Sequence, residues 1–410
     1  MPEPVPFRRA APRVAPVTGP QRPALAPVAP QPRRSRPRDR RLDVFRGLAL
    51  AMIFANHIPG TVYETLTSRN FGFSDAAEGF VFMAGASAAL AYSGGLALRP
   101  VWPVLGRIWG RAWLLYMTQI LITVWALAIA AGVDRFFGQP DMLQQNNLQQ
   151  LQSDPSGFLI GVALMTHQLG YVNILPLYAV LLLASPVMIG AALRWPGRVM
   201  ATSVAVWVLA GLFTIDLPNF PSVGGWFFNP FAWQILFVAG IVTGLAIRRG
   251  ERVVPVRRWL FWPAVAYLVL ALVWVRWPAF AEAGNRVMVW IADHGAPPLV
   301  RDFDKTYVAV PRLLHIASLI YILSCLPQVR QLAESRWSEP LAVMGRNALP
   351  VFALGSLLSF LGQAIKTVAP GGGTGLDSAL VLGGLLLQIG FALARDRYRR
   401  ITAAGPAVRA

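Results

Sequence analysis

Cysteine is nearly missing from this chain. Cys325 is the only one, so no intramolecular disulfide is possible, and its apolar setting reads as packing and not as a nucleophile. Charge is scarce as well. Only 14% of the 410 residues are charged, against about 25% in an ordinary soluble domain. No Gly-rich phosphate loop, no His-x-x-x-His pair or cysteine cluster for a metal, and no Gly-x-Ser-x-Gly elbow occurs. Nor does a relay of acids run through several apolar segments, as in proton-coupled pumps. These absences take P-loop hydrolysis, zinc catalysis and serine-hydrolase chemistry out of consideration.

What is abundant is apolar sequence: 55% of residues are hydrophobic and mean hydropathy is +0.50. Repeated runs of about 20 residues with few charges indicate a polytopic membrane protein. Ten runs stand out, at about 42–60, 75–97, 104–132, 170–193, 198–215, 231–247, 259–276, 307–326, 340–362 and 377–394. Their length and continuity exclude a β-barrel. An all-α bundle of about ten transmembrane helices is expected, and no internal repeat is evident. Segment 157–168 is too short to span and is expected to form a re-entrant or surface helix on the outer side.

The formal net charge of +18 would suggest nucleic acid in a soluble protein. Here arginine far outnumbers lysine and clusters in alternate links, such as Arg107 and Arg111, Arg194 and Arg198, and Arg395 to Arg400. This is the positive-inside pattern, which places both termini in the cytoplasm and leaves no nucleic-acid partner to expect. Residues 1–40 are rich in Pro, Ala and Arg, lack the apolar core of a signal peptide, and read as a disordered cytoplasmic arm beside anionic lipid. Residues 41–400 form the membrane domain and 401–410 a tail.

Charges inside lipid-length apolar segments are expensive and are read as functional. Asp43 and Arg46 lie at the cytoplasmic end of the first segment, with Asn56 and His57 about 15–20 Å further along. Arg46 and His57 are eleven residues apart, close to three helical turns, so they share a face. An interfacial ion-pair network of Arg41, Asp43 and Arg46 is the plainer alternative. Asp75 and Glu78 open the second segment on one face. N-capping accounts for Ser74 and Asp75 as well as function does, whereas Glu78 lies deeper, near Gly79 and Gly85. In the outer half also fall His167, Asn173, Gln234, Lys305, Arg312 and His315. Arg346 and Asn347 sit toward the inside of the ninth segment; Arg346 with Arg46 gives two guanidinium groups suited to phosphate or carboxylate, although arginine also snorkels. Basic groups inside, with histidines and carboxylates outside, suit transfer from an anionic donor to a hydroxyl acceptor. His57 would accept the hydroxyl proton.

RLDVFRG, NHIPG, RNFGFSDAAEGFVFMAG, VNILPLY, FNPFAWQ, DKT with RLLH, and GRNALPVF together resemble the OpgC family of the membrane acyltransferase-3-like superfamily. The resemblance covers most of residues 40–395 and implies a ten-helix bundle and O-succinylation of periplasmic glucans. The superfamily marks its first helix with Arg, ten residues, then His, which maps onto Arg46 and His57. It implies His57 as catalytic base and Arg46 as a CoA-side or structural residue. Many relatives carry Asp before that His; this chain carries Asn56, which leaves Glu78 or Asp75 to orient His57.

The expected function is an inner-membrane O-acyltransferase moving an acyl group, succinyl in the first instance, from acyl-CoA to a glucan or related glycan hydroxyl. In that reading His57, Glu78 and Asp75 are catalytic. Arg46, Asp43, Arg346 and Asn347 hold the donor. Asn56, His167, Asn173, Gln234, Lys305, Arg312 and His315 hold the acceptor or the developing oxyanion. No metal or tightly bound cofactor is expected. Acyl-CoA is a co-substrate, the partners are the glycan and the bilayer, and a homo-oligomer is compatible. A glycan or anionic-solute transporter without chemistry is the rival, and a structural subunit of a glycan-synthesis complex the third reading.

Overall fold

In the computed structural model, residues 39–403 are described; most of the expected N-terminal arm, and the tail beyond 403, lie outside them. The first helix, α1 (Arg40–Asn56), starts where Asp39 accepts a hydrogen bond from the Arg41 backbone N–H at 3.0 Å. It stops at His57, two residues before Pro59. Two 3-10 turns, Val62–Leu66 and Ser68–Asn70, lead to α2 (Ala76–Leu96). α3 (Trp102–Phe137) follows, at 36 residues long enough to overrun the expected span. The outer link then holds the short helices α4 (Gln150–Ser153) and α5 (Pro155–Ala163), the second where a short non-spanning helix was expected.

Three long helices follow: α6 (Ile174–Arg194), α7 (Pro196–Phe213) and α8 (Pro230–Arg249). α9 (Arg258–Arg276) buries only Ala271, so its apolar surface faces outward. α10 (Pro278–Asp293) is amphipathic and buries no residue. α11 (Pro298–Arg301) leads into α12 (Val310–Cys325) and α13 (Pro327–Glu334), which are bent by 76° at the Pro327 step. The ninth expected span, 340–362, is broken: α14 (Glu339–Arg346) ends at Asn347, and α15 (Ala348–Val368) carries the apolar run. α16 (Gly373–Ala403) closes the chain.

Among the described residues, eight helices are long and apolar enough to cross a membrane, and nine if the bent α12–α13 pair is one span. The expected ten differs for a physical reason. α1 has 17 residues and carries the polar stripe, and α12, with 16, reaches span length only together with α13. Among the described residues no strand forms; Pro218 and Gly225 make an isolated bridge.

Lipid is as apolar as a helix face, so close packing between helices depends on small residues. A Cβ on Gly85 would lie 2.0 Å from the Phe237 carbonyl oxygen, and one on Gly240 2.0 Å from that of Phe82. α2 and α8 therefore touch backbone to backbone. α1 and α14 do the same through Gly47 and Gly345, each 1.9 Å from an opposing carbonyl. α1 and α2 lie side by side and are joined by the hydrogen bond from Arg46 to Ser87.

Candidate active site

His57 ends α1 and faces a cavity of about 280 Å³. Asn56, Asp75, Asn173 and Lys305 line it, as the sequence placed them, and so do Arg69, Tyr171, Phe227, Phe228 and Phe352. The His57 and Tyr171 rings lie 5.0 Å apart at 52°. The His57 carbonyl accepts from Gln363 Nε2 at 2.7 Å, which pins the end of α1 to α15. Asn56 Oδ1 accepts from the Thr67 hydroxyl at 2.7 Å, which ties the following turn to the same point.

Asp75 is the N-cap of α2, and its Oδ1 accepts from the Ala77 backbone N–H at 2.8 Å. Its other oxygen takes a short hydrogen bond from Lys305 Nζ, and Arg312 stands 3.6 Å away. The Lys305 ammonium also lies over the faces of Phe227 and Phe228, at 5.6 and 5.3 Å.

Glu78 behaves differently from the expectation. It is fully buried, is absent from the cavity lining, and completes a capping box by accepting from the Asp75 backbone N–H at 3.0 Å. Its second oxygen takes two hydrogen bonds from Arg312, one from Nε at 2.9 Å. The depth that seemed to argue against capping reflects packing over the first turn. Among the described residues no hydrogen bond joins the His57 ring to Asp75 or Glu78, so neither carboxylate orients it by direct contact.

Four other expected acceptor residues do not line the His57 cavity. His167 is buried in a loop, bonds the Asn147 carbonyl through Nε2 at 3.0 Å, and packs on Phe158; burial lowers its pKa. Gln234 ties α8 to α7 through two hydrogen bonds with Ser203, at 2.6 and 2.8 Å. His315 shares a 2.6 Å hydrogen bond with the Ser74 hydroxyl and fixes the loop before α2. Arg312 faces a neighbouring cavity, although it reaches the site through Asp75 and Glu78. The three outer histidines thus do not meet: two of them hold loops.

A second polar cavity, of about 180 Å³, contains Arg46, Ser87, Arg111, Arg346, Tyr92 and Tyr178. Arg46 bonds Ser87 and the Gly345 carbonyl, and pairs with Asp43 at 3.6 Å. Arg346 is held by Glu339 at 2.8 Å and Asp396 at 2.9 Å. Asp43 and Asn347 do not line this cavity. Asp43 is buried beneath Arg46, and Asn347 is buried at the α14–α15 break, with its Nδ2 on the Val343 carbonyl at 3.1 Å. Arg111, which the sequence assigned to a topogenic link, does line this cavity.

Phe352 of α15 lines both cavities. Arg46 and His57, on one face of α1, open to its two sides, as the three-turn spacing predicts. Arg69, Tyr171, Phe227, Phe228 and Phe352 were not legible as site residues. Only the pairing of Phe227 and Phe228 beside Asn229 hinted at a wall.

Fold and site together define a multi-pass helical membrane protein with two polar cavities set against one helix. Residues 38–400 match the OpgC_C family, described as OpgC protein, and the chain belongs to that family. Membership points to a glucan-modifying, transferase-type role. No curated protein and no solved structure matches the chain.

Proposed function

We propose that this protein transfers an acyl group, succinyl in the first instance, from acyl-CoA to a hydroxyl of a glucan across the bacterial inner membrane. The Arg46 cavity receives the donor from the cytoplasm and the His57 cavity holds the acceptor on the periplasmic side. The observation that carries this is a shared lining residue: two cavities, one with three arginines and one with a histidine, have Phe352 in common.

The donor cavity is below the roughly 300–1,000 Å³ of ordinary ligand pockets, so only the thioester end of the donor enters it. The nucleotide end stays outside, where α13 carries Arg330 and the end of α16 carries Arg397, Arg399 and Arg400. His57 takes the proton from the glucan hydroxyl as its oxygen attacks the thioester carbon. The new C–O bond forms, the C–S bond breaks, and the proton passes from His57 to the departing thiolate. Lys305, fixed by Asp75, supplies positive charge beside the developing oxyanion. Asn56 and Asn173 offer hydrogen bonds to sugar hydroxyls.

The test uses purified full-length protein in lipid nanodiscs with succinyl-CoA and a gluco-oligosaccharide. CoA release should depend on acceptor and fall about 100-fold or more in His57→Ala, with unchanged thermal stability. Equal rates in the variant refute the assignment of His57. In proteoliposomes, movement of the oligosaccharide across the bilayer without ester formation favours the transporter.

A further inference from the structure

The cavity that Arg312 faces is larger, at about 400 Å³, and is separate from the donor path. Its wall is an aromatic corner. Phe73 and Phe303 lie 4.6 Å apart, and Trp274 stands edge-on to both, at 5.7 and 5.6 Å. Trp274 Nε1 donates to Asn285 Oδ1 at 3.3 Å, and a Cβ on Gly284 would lie 2.4 Å from the Trp274 ring, so α10 presses its backbone against that ring. Polar groups rim the space: Asn285, Arg69 and Arg312.

Arg69 and Asp75 line this cavity and the His57 cavity alike. One loop, Gly72–Asp75, serves both, with Phe73 in the aromatic corner and Asp75 beside His57's space. The His57 cavity, at about 280 Å³, is too small for an oligosaccharide, so a longer acceptor must continue elsewhere. Aromatic faces with hydrogen-bonding groups at their edges suit the C–H faces and hydroxyls of a sugar ring. An acyl chain of lipid would leave Asn285, Arg69 and Arg312 facing hydrocarbon.

We propose that this aromatic cavity is a second carbohydrate subsite, which binds the glucan units next to the one being modified. Arg69 and Asp75 mark the passage between the two. The assignment rests on the proposed acyl transfer only for its kinetic readout, since binding is measurable without turnover.

The test compares methyl glucoside with a gluco-hexasaccharide as acceptors, and wild type with Ala281→Trp, which fills the cavity from the face of α10. Wild type should prefer the hexasaccharide, and the long-to-short ratio of kcat/KM should fall about tenfold in the variant through KM. Trp274→Ala should lower the ratio and Trp274→Phe restore most of it. An unchanged ratio in Ala281→Trp, or no chain-length preference in wild type, overturns the subsite. Saturation-transfer NMR with the hexasaccharide is run in parallel. Glycan binding lost in Ala281→Trp, in a protein that transfers no acyl group, sinks the proposed activity and leaves the subsite standing. Equal saturation transfer in wild type and variant sinks the subsite.

Discussion

Arg312 places Nε and a terminal nitrogen on one oxygen of Glu78, one turn beneath the Asp75 cap that borders the His57 cavity. Glu78 is fully buried and Arg312 nearly so. Removing one member of a buried pair leaves an uncompensated charge and costs about 3–5 kcal/mol. Arg312→Met is therefore expected to lower the melting temperature sharply and reduce yield. Glu78→Met together with Arg312→Met should recover much of that loss. The melting temperatures of single and double variants in detergent check this, and a double variant as unstable as the singles contradicts the pairing.

Gly72 has no room for a side chain, because a Cβ there would lie 1.9 Å from His315 Nε2. Gly72→Ala should therefore displace the loop that carries Phe73, Ser74 and Asp75, and reduce acyl transfer at least as much as His315→Ala. Removing the ring makes room, so the double variant should be more active than Gly72→Ala alone. Such non-additivity is expected only for residues in contact. A double variant equal to the sum of the singles speaks against the contact.

Phe352 lines both cavities. Widening the wall with Phe352→Leu should admit water to the thioester and raise acceptor-independent CoA release. Phe352→Trp should narrow the passage and lower transfer to the glucan, with KM for the acceptor little changed. Thiol release with and without acceptor, measured on both variants, decides. Wild-type hydrolysis and transfer in both would show that the wall has no part in turnover.

Asp216 lies in the loop between α7 and α8, and burial raises its pKa from 3.8 to about 6. Its Oδ1 accepts from the Leu217 N–H at 2.7 Å, while Oδ2 is buried without a hydrogen-bond partner. A raised carboxyl pKa means the folded chain favours the neutral acid. Its stabilising effect is full below pH 3.8 and is lost as pH rises through about 6. Asp216→Asn should thus raise the melting temperature at pH 7.5 and give little gain near pH 4. A pH-independent difference would argue against this charge as the cause.

Much of the bundle was readable because the membrane imposes a length on every span. The short helix α5 and most helix positions followed from apolar runs alone. Breaks were harder. Asn347 interrupts the ninth run between Gly345 and Pro350, which cannot donate to the Arg346 carbonyl, and the buried Asn347 amide bonds the turn's own Val343 carbonyl. Histidines misled for the same reason: a loop carbonyl such as that of Asn147 needs a donor, and His167 supplies it. Nothing in spacing along one chain marks which polar residue answers such a need.

The sequence by itself determined that this is a helical membrane protein and that Arg46 and His57 share a face of one helix, because hydrophobic length and helical pitch are local properties. Only the tertiary structure decided that Phe352 lines both of their cavities, that Glu78 belongs to Arg312, and that Arg111 and Arg69 join the site. Those facts depend on which helices touch, and that is set by glycine contacts between α1 and α14 and between α2 and α8, far apart in the chain.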